Sequence, residues 1–74
     1  MVEILRTNDP VIISVIESIL TAERVRYFVA DQNMAAAEGS LGFLPRRIMV
    51  DADGAERARR AIVAAGLAKE LRDA

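Results

Sequence analysis

The order of its periodic segments constrains the fold of this chain more than any other feature. Residues 2–7, VEILRT, alternate with the two-residue period of a strand. Residues 11–23 carry apolar side chains at helical spacing, and Asp9 and Pro10 just before them suit an N-cap and a first helical position. Strand-type segments at 25–30 and 46–51 and a second helical segment from residue 55 complete the chain. The sequence therefore predicts the order β-α-β-β-α.

This order predicts an α+β fold, a ferredoxin-like βαββα sandwich in which a three-stranded antiparallel sheet carries two helices on one face. At 74 residues we expect one domain spanning 1–74, with a long loop at 31–44 between the second and third strands and a weakly ordered tail at 67–74. Asp53 and Glu56 predict a capping box at the second helix, and Gly66 predicts a left-handed stop followed by an apolar contact from Leu67.

Composition excludes several functional classes. The chain has no Cys and no His, which excludes a disulfide scaffold, thiolate zinc sites, Cys nucleophiles and the commonest general base. We expect no metal and no cofactor. Ten basic residues against eleven acidic ones disfavour nucleic-acid binding. The first ten residues lack a signal-peptide pattern and no apolar run approaches the length of a membrane span, so we expect a cytoplasmic protein that does not enter the membrane.

The two faces of the predicted sheet differ. One is almost continuously apolar and should meet the helices. The other carries Leu5, Phe28 and Met49 at its centre, surrounded by charges. This second face is the association surface of a homo-oligomer, a dimer or trimer, or the surface that the apolar residues of the 31–44 loop cover, and the two interpretations are compatible. Without a fourth strand the first strand lies at a sheet edge, which favours a homo-oligomer.

The predicted 31–44 loop and its exit form the candidate binding site for a partner protein or a small anionic ligand. Glycines let backbone N–H groups approach a ligand, and arginine guanidinium groups suit phosphate or carboxylate. Alternatively, the glycines serve turns and the arginines pair with loop carboxylates. Strand alternation sends Arg46 and Arg47 to opposite faces, which makes Arg47 the better candidate because it shares the face of Phe28 and Met49. The candidate binding residues are Asp31, Gln32, Asn33, Gly39, Gly42, Arg46 and Arg47.

No catalytic constellation is visible, so we predict that the chain is not an enzyme. Its Ser, Thr and Tyr residues have no identifiable base partner. Two alternatives stay open: an enzyme acting through loop carboxylates such as Asp31 or Glu38, and a weak nucleic-acid binder. The third strand has no aromatic residue on which a base could stack, which counts against the second alternative.

The chain carries four distinctive motifs: RTNDPV at 6–11, VADQNM at 29–34, EGSLG at 38–42 and LPRRIMV at 44–50. With these motifs it resembles a family of small bacterial proteins labelled putative prokaryotic signal-transducing proteins and related to the PII (GlnB-like) regulators. The resemblance implies a ferredoxin-like domain with a regulatory, non-catalytic role. By analogy with PII, it also implies that the loop between the second and third strands contacts effectors and targets.

Overall fold

The computed structural model describes residues 1–30 and 46–71, and confirms an α+β fold with a three-stranded antiparallel sheet and two helices. The predicted 31–44 loop lies outside the described residues. The second strand begins at Tyr27, two residues later than the sequence predicts. In chain order the elements are β1 Val2–Thr7, α1 Pro10–Ala22, β2 Tyr27–Ala30, β3 Arg46–Val50 and α2 Ala55–Ala64, with short 3₁₀ helices at Ala52–Gly54 and Ala68–Glu70.

Strand β3 is the central strand of the sheet. The strand order is β1-β3-β2, and β3 pairs antiparallel with both neighbours. Helices α1 and α2 contact each other, and both contribute to the same apolar core as the sheet. Its fully or nearly fully buried residues are Ile4, Leu5, Ile13, Ile16, Leu20, Val25, Ile48, Val50, Ala58 and Ile62.

A β-bulge in β1 changes which residues face the helices. Glu3 pairs with Met49 and Leu5 pairs with Ile48, so Ile4 is an extra residue between two consecutive pairs. Both Ile4 and Leu5 are fully buried. The prediction that Leu5 lies on the face away from the helices is therefore wrong, because strict alternation does not allow for the inserted residue.

The helix N-termini differ in how well the sequence predicts them. Asp9 caps α1 as expected, since its side chain accepts the backbone N–H of Val11 at 2.9 Å. The capping box predicted from Asp53 and Glu56 is wrong. Instead the side chain of Asp51 accepts the N–H of Asp53 at 3.3 Å and begins the 3₁₀ turn that leads into α2.

Both helices end in the same hydrogen-bonded motif. At the end of α2, Gly66 has a φ of 84°, as predicted, and the N–H of Leu67 donates to the carbonyl of Ile62 at 3.1 Å. At the end of α1 the equivalent left-handed residue is Arg24, with a φ of 60°, and the N–H of Val25 donates to the carbonyl of Leu20 at 3.0 Å. A non-glycine residue in this conformation is strained.

The segment after α2 returns to the outer edge of β1. Within the tail predicted at 67–74, Ala68–Glu70 form a 3₁₀ turn and Leu71 makes an antiparallel bridge with Leu5, while residues 72–74 lie outside the described residues. This bridge lies where a fourth strand of a ferredoxin-like sheet would pair with the first.

Candidate functional site

We call the side of the sheet away from the helices the open face. Directly paired residues of antiparallel strands share a face, so the register places two rows of side chains there. One row runs across the three strands as Glu3, Met49 and Phe28, and the other as Arg6, Arg47 and Ala30.

The first row retains two of the three predicted apolar residues. Phe28 and Met49 are paired directly, Phe28 is 48% exposed and Met49 is half-buried. Because Leu5 lies in the core, the apolar part of the open face consists of one cross-strand pair, Phe28 and Met49.

The second row places two arginines opposite each other. Arg6 pairs directly with Arg47, and side chains in such pairs have Cβ atoms about 4.5–5.5 Å apart. Like charges this close repel each other. The sequence did not reveal this pair, because only the bulge brings Arg6 onto the open face.

Glu3 balances the charge of Arg6. The Nε–H of Arg6 donates to Oε2 of Glu3 at 2.9 Å and one terminal nitrogen donates to Oε1 at 3.1 Å. The hydrogen bond to Glu3 is the main cause that raises the pKa of Arg6 above its usual value, and the negative charge of Glu3 is the second cause. Arg6 thus forms a bidentate ion pair with Glu3 of the same strand.

Arg47 is in a different situation from Arg6. Its Nε is buried and has no hydrogen-bond partner among the described residues. A buried polar group without a partner costs about 1–3 kcal/mol, more if it is charged. A carboxylate or phosphate oxygen accepts well from an arginine Nε–H, so this part of the open face can hold an anionic group.

The other predicted binding residues divide into two groups. Arg46 pairs with Thr7, so it projects to the helix side of the sheet and is exposed. The predicted separation of Arg46 and Arg47 onto opposite faces is confirmed. The remaining five, Asp31, Gln32, Asn33, Gly39 and Gly42, lie outside the described residues.

Two concave regions lie elsewhere in the described part of the chain. An open cleft of about 440 Å³ is lined by one side of α1 and by Tyr27 of β2, whose hydroxyl donates to Glu17 at 3.3 Å. A smaller cleft of about 170 Å³ is lined by Arg24, Arg26 and Arg57 together with Asp51 and Asp53. Three arginines and two carboxylates give this cleft a net charge of +1, but none of its described arginine nitrogens is both buried and without a hydrogen-bond partner. The open face, which contains such a nitrogen in Arg47, is therefore the better anion site.

Two further features of the described residues bear on the predictions. Residues 1–30 and 46–71 contain no group of three metal-ligating side chains placed to hold an ion. Neither helix in these ranges has the length and apolar character needed to cross a membrane.

Comparison with known proteins supports the resemblance seen in the motifs. A family model described as putative prokaryotic signal transducing protein matches residues 1–66. This match covers residues 1–66 of the 74-residue chain and confirms the family resemblance. A search of curated proteins found no match.

Proposed function

We propose a regulatory role for this chain, which belongs to the family of putative prokaryotic signal transducing proteins. In this proposal the chain is non-catalytic and works by binding an anionic group on the open face of its sheet. The observation that carries the proposal is the buried Nε of Arg47, which lies directly opposite Arg6 and has no hydrogen-bond partner within residues 1–30 and 46–71.

The charges of the open face favour an anion. Its two rows contain one carboxylate, Glu3, and two guanidinium groups, Arg6 and Arg47, which leaves a net charge of +1. Glu3 already accepts two hydrogen bonds from Arg6. An oxygen atom of a bound anion would instead accept the hydrogen bond that the Nε–H of Arg47 can donate. Binding would also reduce the repulsion between the two arginines.

The apolar neighbours of Arg47 narrow the ligand class. Met49 lies two residues along β3, on the same face, and is paired with the half-exposed ring of Phe28. A ligand with a carboxylate or phosphate next to an apolar body could contact both regions. The proposal covers a small metabolite or an acidic residue of a partner protein, because both present this chemistry.

Four of the eight side-chain carboxylates among the described residues support a non-catalytic role. Glu3 binds Arg6, Asp9 caps α1, Glu17 accepts from Tyr27 and Asp51 begins the 3₁₀ turn before α2. Each serves local structure, whereas a catalytic carboxylate acts on a bound substrate.

Three other parts of the proposal rest on sequence. We place the protein in the cytoplasm, consistent with a chain that has no cysteine to form disulfides. The resemblance of the sequence motifs to PII regulators supports a ligand-dependent switch. The predicted 31–44 loop, which precedes β3 in the sequence, would contribute further contacts near Arg47.

A thermal-shift screen tests the proposal. We would compare phosphate, nucleotides and small carboxylates at constant ionic strength, with chloride as the reference. A ligand at 100 times its dissociation constant stabilises the folded state by roughly 2.7 kcal/mol, which corresponds to about 10 °C or more in a domain this small.

The chain offers a matched control for this screen. Arg47→Ala should abolish the shift, whereas Arg46→Ala removes the same charge from the next residue, on the other face, and should retain it. If no anion produces a shift, or if both variants behave alike, the proposal is wrong.

A further inference from the structure

The two edges of the sheet are protected to very different extents. The outer edge of β1 has a bulge at Ile4, the bidentate ion pair of Glu3 and Arg6, and the bridge between Leu5 and Leu71. Bulges, charged side chains and covering segments are devices by which proteins prevent an edge strand from pairing with another chain. The edge that the sequence suggested for association is therefore the protected one.

Within residues 1–30 and 46–71, none of these devices occurs at the outer edge of β2. Its sequence, Tyr27–Ala30 or YFVA, contains no charge and no proline, and its register with β3 is regular. Its backbone pairs with β3 on one side, and on the other side no described residue forms a backbone hydrogen bond with it. Such a strand presents a row of unpaired N–H and C=O groups to any strand that can approach.

We propose that β2 pairs antiparallel with β2 of a second copy of this chain, across a two-fold axis, to form a continuous six-stranded sheet. A two-fold interface must be complementary to itself, and a short neutral strand satisfies this condition because it opposes no like charges. This proposal does not rest on the anion site, whose two arginines lie on β1 and β3.

The faces of the sheet restrict the register of this pairing. If the helices of both copies lie on the same side, paired residues must come from the same face, which is met when Phe28 pairs with its own copy and Tyr27 pairs with Val29. The exposed ring of Phe28 then gains an aromatic cross-strand partner, and such pairs stabilise a sheet by about 0.2–1 kcal/mol. The 48% exposure of Phe28 in the single chain is thereby explained.

Helix α1 must complete the interface, because four paired residues from each copy bury much less than the roughly 1,200 Å² of a specific interface. The cleft of about 440 Å³ between α1 and Tyr27 lies on the helix side of β2. Its α1 wall consists of small or polar residues, Ser14, Glu17, Ser18, Thr21 and Ala22. Pairing of the strands brings the same wall of the second copy towards this cleft and closes it.

Cysteine cross-linking tests the register directly, since the native chain contains no cysteine. In the proposed register Phe28→Cys brings two thiols together across the axis, at a separation that allows a disulfide. Mild oxidation at low protein concentration should give a covalent dimer of twice the 8.1 kDa chain mass. Val63→Cys, at an equally exposed position on α2, is the control and should stay monomeric under denaturing, non-reducing conditions. Equal cross-linking of the two variants would overturn the proposal.

Charge substitution gives a second, independent measurement. By light scattering the native chain and Val63→Lys should be dimers, and Phe28→Lys and Phe28→Glu should each be monomers because like charges face each other across the axis. Mixing the two Phe28 variants should restore a dimer. A native chain that stays monomeric at about 1 mM overturns the proposal, and so does a dimer that neither Phe28 variant disturbs.

Discussion

Arg24 holds helix α1 in a terminal motif that suits glycine better. Its φ is 60°, and its N–H donates to the carbonyl of Thr21 at 3.1 Å while the next residue closes the motif. We predict that Arg24→Gly stabilises the protein. The left-handed conformation costs a non-glycine residue about 1–2 kcal/mol, which glycine avoids. Glycine also makes the unfolded chain more flexible, and this effect lowers the stability by about 0.4–1 kcal/mol. The net gain is about 0.5–1 kcal/mol, or roughly 2–8 °C in melting temperature.

The end of α2 supplies the reciprocal experiment. Gly66 occupies the same position of the same motif with a φ of 84°, and a Cβ added there would meet no atom within 4 Å. Gly66→Ala should therefore destabilise the protein by about 1 kcal/mol through backbone strain alone. Arg24→Ala removes the arginine side chain but keeps the strain, so it should not reproduce the gain of Arg24→Gly.

Urea denaturation followed by circular dichroism measures all three variants against the native chain. The reasoning predicts the order Arg24→Gly, then native and Arg24→Ala together, then Gly66→Ala. It would be refuted if Arg24→Gly were no more stable than Arg24→Ala, because the difference between these two variants isolates the backbone conformation.

Other substitutions test the packing of the fold. Leu5→Ala should lower the free energy of unfolding, measured by urea denaturation, by about 2–5 kcal/mol because Leu5 is fully buried. Phe28→Ala should lower it clearly less, and equal losses would contradict the burial of Leu5 in the core. Gly54→Ala should destabilise by about 1–3 kcal/mol, since the new Cβ would lie 3.0 Å from Cγ1 of Val25, and an unchanged melting temperature would show that Val25 moves aside freely. Asp9→Ala should lower stability by about 0.5–2 kcal/mol through loss of the α1 cap, with Asp9→Asn as the conservative control that retains most of it.

Local sequence patterns predict the elements of this fold well. The cap at Asp9, the left-handed stop at Gly66 and the third strand each depend on a few neighbouring residues, and the structure confirms them. The third strand was predicted at 46–51 and is observed at Arg46–Val50. The order of these elements was enough to indicate a ferredoxin-like arrangement.

Features that depend on contacts between distant segments were not predicted. The bulge at Ile4 arises from how β1 meets β3, and nothing in VEILRT itself marks an inserted residue. A single inserted residue moved Leu5 into the core and Arg6 onto the open face. The predicted capping box at Asp53 was wrong for a related reason. Asp51 and Asp53 are both good N-cap residues by type, and Asp51, the first residue after β3, is the one that accepts a backbone N–H.

The candidate site was predicted in part. Alternation in β3 correctly separated Arg46 from Arg47, since this strand pairs regularly with β2. The cross-strand pair of Arg6 and Arg47 could not be anticipated without the register. The contrast between the two sheet edges likewise required the bridge from Leu5 to Leu71, which joins residues far apart in the chain.

The anion site at Arg47 is the central claim, and the arginine Nε–H signals in a ¹H–¹⁵N NMR titration test it most directly. Phosphate and acetate would be added in turn at constant ionic strength. We predict a saturating shift of the Arg47 Nε–H signal with at least one anion, with the Arg46 signal unchanged as the internal control. An Arg47 signal that does not move, or that moves only as much as that of Arg46, would contradict the account.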